Sequence, residues 1–95
     1  MDIIPKLEAD LKALGNSSSE ISKSLSDKNI TGSKCESAYC PVANYLISIG
    51  YSMPEVSQET IIVRLKEDHT INTPIELIDF ILEFDDGKYP ELERK

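Results

Sequence analysis

Tryptophan is absent from this chain of 95 residues, and phenylalanine occurs only twice. Its core must therefore be built mostly from Ile, Leu and Val. The 40% hydrophobic content supplies one such core, and a second domain would be too small to close its own. Positive charge is also scarce: ten Lys and Arg stand against seventeen Asp and Glu, for a net charge of −7 and a pI near 4.6. That balance favours solubility and works against gripping a phosphate backbone, so no direct nucleic-acid contact is expected. No run approaches the roughly 20 apolar residues of a membrane span. Met1-Asp2-Ile3-Ile4-Pro5 lacks the basic region and apolar run of a secretory leader, which makes the cytosol the expected compartment. There both cysteines are thiols, and the sequons at Asn16 and Asn29 carry no sugar.

What is present divides into helical and extended patterns. Ile3, Ile4, Leu7, Leu11 and Leu14 fall on one helical stripe, with Asp2 as cap, Pro5 in the first turn and Gly15-Asn16 as stop. Ser17 and Glu20 have the spacing of a capping box ahead of Ile21 and Leu25, which predicts a second helix. Asn29 to Tyr39 reads as a long polar connector. Pro41 opens a third helix carrying Val42, Tyr45, Leu46 and Ile49 on its apolar face, and Gly50 closes it.

The period then changes to two. Ile61, Val63 and Leu65 alternate with Ile62, Arg64 and Lys66 in a β-branched run. Glu67-Asp68-His69 is expected to turn the chain so that Thr70-Ile71-Asn72 pairs back. Pro54 to Gln58 offers a short further strand, with its proline suited to an edge. Thr73, Pro74 and Glu76 give the strongest helix-start signal, cap, first position and third position in order. From Ile75 to Phe84 only Glu76, Asp79 and Glu83 are polar, which predicts a buried helix with one acidic stripe, continued by Asp86. Tyr89 and Leu92 trail behind Gly87 in position to pack back on the core. The expected fold is α+β, in one domain over 1–95: three N-terminal helices, a small antiparallel hairpin or meander, and a C-terminal core helix.

Chemistry has few places to reside. Cys35 and Cys40 have zinc-ligand spacing, but a closed site needs four ligands and His69 is the single imidazole. Cys35, Cys40 and His69 are thus candidate metal ligands without a complete set, and no cofactor is expected. A turn between the thiols would also permit a reversible disulfide. Cys40 stands at a helix N-terminus, which can favour a thiolate, or it is a small apolar residue packing the helix entry. A Cys40–His69–Asp68 hydrolase lacks any glycine-rich oxyanion turn, so no catalytic residue is assigned. A helix-turn-helix starting at Ser18 is excluded by the length of the connector and by a third helix without Lys or Arg. Candidate interaction residues are the acidic stripe Glu76, Asp79, Glu83 and Asp86, together with Tyr39 and Tyr51.

Two blocks, Cys40-Pro41-Val42-Ala43-Asn44-Tyr45-Leu46 and the stretch from Pro74 through Phe80-Ile81-Leu82-Glu83-Phe84-Asp85-Asp86-Gly87-Lys88-Tyr89-Pro90-Glu91-Leu92, resemble a pattern found in a family of small bacterial proteins. Those proteins carry a Cys-Pro-(Val/Leu/Ile)-Ala-x-Tyr-Leu helix and end in a helix running into Phe-Asp-x-Gly-x-Tyr-Pro-x-Leu. The resemblance spans about Gly32 to Leu92, and Cys35 has no counterpart in it. The family has no assigned activity, so the resemblance implies a bacterial cytosolic setting and no catalytic role. The expected function is a small interaction or regulatory module acting on an unidentified protein partner, with homodimerisation open. The alternatives are a thiol-dependent module on Cys35 and Cys40, and a nucleic-acid-associated regulator.

Overall fold

Three of the helices end in the same way, and those ends set the directions in which the chain continues. At Asn29, Gly50 and Gly87 the backbone has φ of 59°, 110° and 87°. In each case the next N–H reaches back five residues to a helix carbonyl: Ile30 to Leu25 (2.9 Å), Tyr51 to Leu46 (3.0 Å) and Lys88 to Glu83 (3.0 Å). This is the Schellman arrangement, in which a left-handed residue satisfies carbonyls that the helix leaves orphaned.

The computed structural model describes residues 3–65 and 67–93. Among these, four α-helices and a three-stranded antiparallel sheet give the α+β class that the sequence patterns predict. The helices are α1 (Ile4–Lys12), α2 (Ser18–Asp27), α3 (Pro41–Ser48) and α4 (Ile75–Asp85). The strands are β1 (Glu55–Val56), β2 (Thr60–Leu65) and β3 (Glu67–Asn72), in the order β1-β2-β3. A 3-10 turn over Pro90–Leu92 completes the chain. The radius of gyration, 12.1 Å, matches the roughly 12 Å of a single domain of this length.

Leu7 and Leu11 of α1 and Leu14 beyond its end are buried, as are Ile21 and Leu25 of α2. The capping box forms with one shift. The Glu20 N–H donates to Ser17 Oγ (3.2 Å), while Glu20 Oε1 accepts from the N–H of Asn16 (2.8 Å) rather than that of Ser17. The proposed Asp2 cap lies outside the described residues, as do Lys66 and the side chain of Leu65. In α3, Val42, Tyr45 and Leu46 enter the core, but Ile49 comes after the last helical residue and is exposed.

The sheet corrects the expected turn. Ile61 faces Ile71, Val63 faces His69, and Leu65 faces Glu67, so Glu67, Asp68 and His69 are strand residues. Arg64 makes this tolerable: its guanidinium lies between Glu55 (2.6 Å) and Asp68 (3.5 Å) and offsets acids on both flanking strands.

The last helix differs from expectation at both its start and its faces. Helix α4 begins at Ile75 with Pro74 as cap residue. The Thr73 hydroxyl instead donates to the Ser57 carbonyl (2.7 Å), joining the end of β3 to the β1–β2 loop. Only one side of α4 is covered, chiefly by α2, so Leu77, Phe80, Ile81 and Phe84 are buried while Ile75 is 71% exposed. Tyr89 and Leu92 fold back into the core, and Tyr89 stacks on Phe80 at 5.5 Å between ring centroids.

Candidate functional site

The connector between α2 and α3 is the organising element of the surface, and it is pinned along its length. Asn44 of α3 donates to the carbonyls of Thr31 (2.6 Å) and Tyr39 (3.3 Å) near its two ends. Gly32 donates to the Leu92 carbonyl (2.8 Å), so the C-terminal segment lies alongside the connector. A β-carbon on Gly32 would lie 2.4 Å from the Pro41 nitrogen and 2.5 Å from the Tyr39 oxygen. Both are backbone atoms that cannot swing away, so only glycine fits there. Further along, the Cys35 N–H donates to Asp85 Oδ1 of α4 (2.9 Å), and the Val56 N–H of β1 donates to the Ser37 carbonyl (2.9 Å). The sequence reads this segment as a polar loop. Five of its backbone groups are in fact bonded to α3, α4, β1 and the C-terminal segment, which fixes its course.

Two concave features flank the connector. The first, with a volume of about 520 Å³, lies between the connector, the β1–β2 loop and α4. Val56, Phe80, Ile81, Phe84 and Cys40 back it but are themselves buried, and Glu36, Glu59 and Asp85 supply carboxylates. The second, of about 480 Å³, is a shallow depression between the connector, the end of α3 and the segment leading into β1. Tyr39, Ile47 and Met53 line it and are exposed, Tyr39 by 56% and Met53 by 68%. Met53 has φ of 46° immediately before Pro54, an uncommon backbone state for a bulky side chain. Arg64 holds it there: its Nη1 donates to the Met53 carbonyl (3.1 Å) and its N–H to the Ser52 carbonyl (2.9 Å).

The two cysteines have opposite environments on the wall of one cavity. Cys35 is exposed, whereas Cys40 is buried and caps α3, with Sγ accepting from the Ala43 N–H (3.4 Å). Burial pushes the Cys40 thiol up to about 11, overriding the amides of Ala43 and Val42 that favour the thiolate, and the charge of Asp85 adds to the rise. Of the two roles open to Cys40, the structure gives it the packing role. His69 sits on β3 opposite Val63 and does not line the cavity of the cysteines. Among the described residues no three His, Cys, Asp or Glu side chains converge as a metal-ligand set.

Of the other candidate residues, Tyr39 and Tyr51 both line the second depression but differ in exposure. Tyr51 is 5% exposed: its hydroxyl donates to Asp10 Oδ2 (2.7 Å), and that of Tyr45 donates to the Asp10 carbonyl (2.7 Å). Both rings fasten α3 and the segment after it to α1, so Tyr51 is chiefly a structural residue while Tyr39 is a surface one. Lys6 joins the same cluster through Asp10 (2.9 Å), and its hydrogen bond holds the Asp10 carboxyl below the ordinary range. Within the acidic stripe, Asp79 and Asp86 are exposed and Glu76 is half-buried. Glu83 is occupied: it pairs with Lys88 (2.6 Å) and accepts from the Tyr89 hydroxyl (3.2 Å), which in turn meets Ser18 Oγ at 2.6 Å. The Lys88 hydrogen bond lowers its pKa first, followed by that of Ser18.

Sequence reasoning did not single out Ile47, Met53 and Arg64, nor Glu36, Glu59 and Asp85. Met53-Pro54 carried a weak signal, because a residue before proline has a restricted backbone. Among the described residues no helix is long and apolar enough to cross a membrane. No family model, curated protein or solved structure matches this chain.

Proposed function

We propose that this chain is a small acidic interaction module that acts through protein contacts, using the depression lined by Tyr39, Ile47 and Met53. The observation that carries this reading is Met53. A bulky apolar side chain is held at positive φ by Arg64 and still stands 68% exposed, so its strained backbone gains nothing from burial in the monomer. Tyr39 and Ile47 beside it complete an apolar surface of the residue types that anchor interfaces. Arg64 and Glu55 supply a polar edge. The occupant is a protein partner with a matching apolar ridge; a second copy would set a charge of −7 against −7. The resemblance to small bacterial proteins supplies the setting, a bacterial cytosol.

The test is affinity capture from a lysate of the source organism with the wild-type chain and with the double variant Tyr39→Ser, Met53→Ser. The reading requires a protein retained by the wild type and lost by the double variant at equal thermal stability. An identical set of proteins on both baits, or none on either, rules it out. Sedimentation of the purified chain addresses the second copy: a dimer abolished by Tyr39→Ser assigns the face to self-association instead.

A second reading, a thiol-dependent module, is supported by Cys35 and Cys40 lining one cavity and opposed by the burial that keeps Cys40 protonated.

A further inference from the structure

The sheet has two edges, and among the described residues the chain covers only one of them. Strand β1 is two residues long and follows Pro54, and its Val56 N–H is taken by the Ser37 carbonyl of the connector (2.9 Å). A short strand, a proline and a covering loop are all ways of blunting an edge. At the other edge, β3 runs six residues in unbroken register with β2, without proline or bulge.

The ladder shows which way the backbone of β3 points. The Thr73 N–H donates to the Glu59 carbonyl (3.1 Å), which marks a hydrogen-bonded pair. Such pairs recur at every second residue, so Ile61–Ile71 and Val63–His69 are of the same kind. The N–H and C=O groups of Asp68, Thr70 and Asn72 therefore point away from β2. All three residues are exposed, and no hydrogen bond from outside the sheet reaches their backbone among the described residues. Three donors and three acceptors at strand spacing match the backbone of another extended chain.

Charge narrows the choice of that chain. Glu67 and Asp68 both stand on β3. Arg64 answers Asp68 at 3.5 Å but is shared with Glu55 at 2.6 Å, and Glu67 enters no ion pair among the described residues. Counted over every lysine and arginine, the chain carries −7. A second copy would bring the same acids to this edge and is repelled. A basic segment meets the opposite sign.

We propose that the open edge of β3 docks an extended, basic segment of a partner protein, which adds a further strand to the sheet. Main-chain bonds to Asp68, Thr70 and Asn72 hold the segment, and basic side chains beside Glu67 and Asp68 select it. No residue of β3 lines the Tyr39–Met53 depression, so the two sites stand or fall separately.

The probes are three capped peptides matched to the six residues of β3: alternating Lys and Val, alternating Glu and Val, and the Lys–Val peptide with every backbone nitrogen methylated. Each is titrated into the full chain and followed by amide NMR and hydrogen exchange. In the free chain the amides of Asp68, Thr70 and Asn72 should exchange about tenfold faster than those of His69 and Ile71. The Lys–Val peptide should bind saturably and slow Thr70 and Asn72 about tenfold, leaving Ile71 unchanged. The Glu–Val and N-methylated peptides should do neither. Thr70→Pro removes one outward N–H and spares the ladder to β2, so it should weaken the Lys–Val peptide about tenfold. Glu67→Gln, at an exposed position, should weaken it about threefold. The N-methylated peptide decides the role of the backbone whether or not Thr70→Pro folds. Equal binding of the N-methylated or the Glu–Val peptide would overturn the proposal. So would no saturation at millimolar Lys–Val peptide, or saturation without protection of Thr70 and Asn72.

Discussion

The two concavities beside the connector are of similar volume and opposite construction. Under the connector, the apolar residues are themselves buried, and Glu36, Glu59 and Asp85, in no ion pair among the described residues, stand around the opening. In the Tyr39–Met53 depression the apolar groups are themselves exposed, and the charge present, Arg64, is neutralised by Glu55 and Asp68. The first keeps its apolar groups covered and shows charge; the second shows apolar groups and keeps its charge paired. One chain segment walls both, with Cys35, Glu36 and Ser37 facing one and Ala38 and Tyr39 the other. A short pinned loop thus separates two surfaces of different chemistry within a few residues.

The most damaging way to break the comparison is to unpin the loop. Gly32→Ala forces a β-carbon against backbone atoms of Tyr39, Cys40 and Pro41, and should cost about 3 kcal/mol. At about 4–8 °C per kcal/mol for a domain of this size, calorimetry should show a melting temperature lower by roughly 12–24 °C. Both concavities should fail together.

Asp10 offers a one-sided break. Asp10→Ala removes the acceptor of the Tyr51 hydroxyl beside the apolar depression and leaves the cavity untouched, at about 1–2 kcal/mol in denaturant unfolding. The pH dependence follows from the lowered carboxyl. Its folded pKa lies below the unfolded value near 3.8, so its contribution is complete above that pH and is lost as pH falls through the folded pKa. The wild type should therefore lose stability more steeply than Asp10→Ala below about pH 4.

Met53→Gly sharpens the contrast in the other direction. Glycine accepts φ of 46° without strain but adds freedom to the unfolded chain, so two effects of about 1 kcal/mol offset, and the variant should keep its melting temperature within about 4 °C while losing partner capture. A drop of more than about 8 °C, beyond what glycine's added chain freedom accounts for, would refute the strain assigned to this position.

The smallest effect is within the cavity itself. At pH 8 a disulfide reagent should modify Cys35 in the folded protein and Cys40 only on unfolding. With its pKa near 11, Cys40 is thiolate in about one molecule per thousand at that pH.

The elements were legible where a local pattern decides them. Ser17-x-x-Glu20, Pro41 to Gly50, the alternation of Ile61 and Val63, and the glycine stop at Gly87 all act within a few residues. The errors occurred where a distant group changed the local choice. Thr73 has the chemistry of a cap, but the Ser57 carbonyl takes its hydroxyl. Glu67-Asp68-His69 has the polarity of a turn, but Arg64 makes it acceptable in a strand. Glu83 belongs by spacing to a solvent stripe, yet Lys88 and Tyr89 occupy it. Of the interaction candidates, Tyr39 and Tyr51 both line the proposed face, but Tyr39 is exposed there while Tyr51 is buried with its hydroxyl on Asp10.

The sequence by itself determined the class of fold, the composition of the core and the acidic character, because periodicity, caps and net charge are properties of neighbouring residues and of totals. Tertiary structure decided which polar groups remain free. Glu36, Glu59 and Asp85 are ordinary acids in the chain and come to line one cavity only because folding brings the connector, the β1–β2 loop and α4 together. Met53 is an ordinary apolar residue until Arg64 fixes the backbone that holds it out. Whether a side chain is available depends on what the rest of the chain brings beside it, and that is a matter of packing.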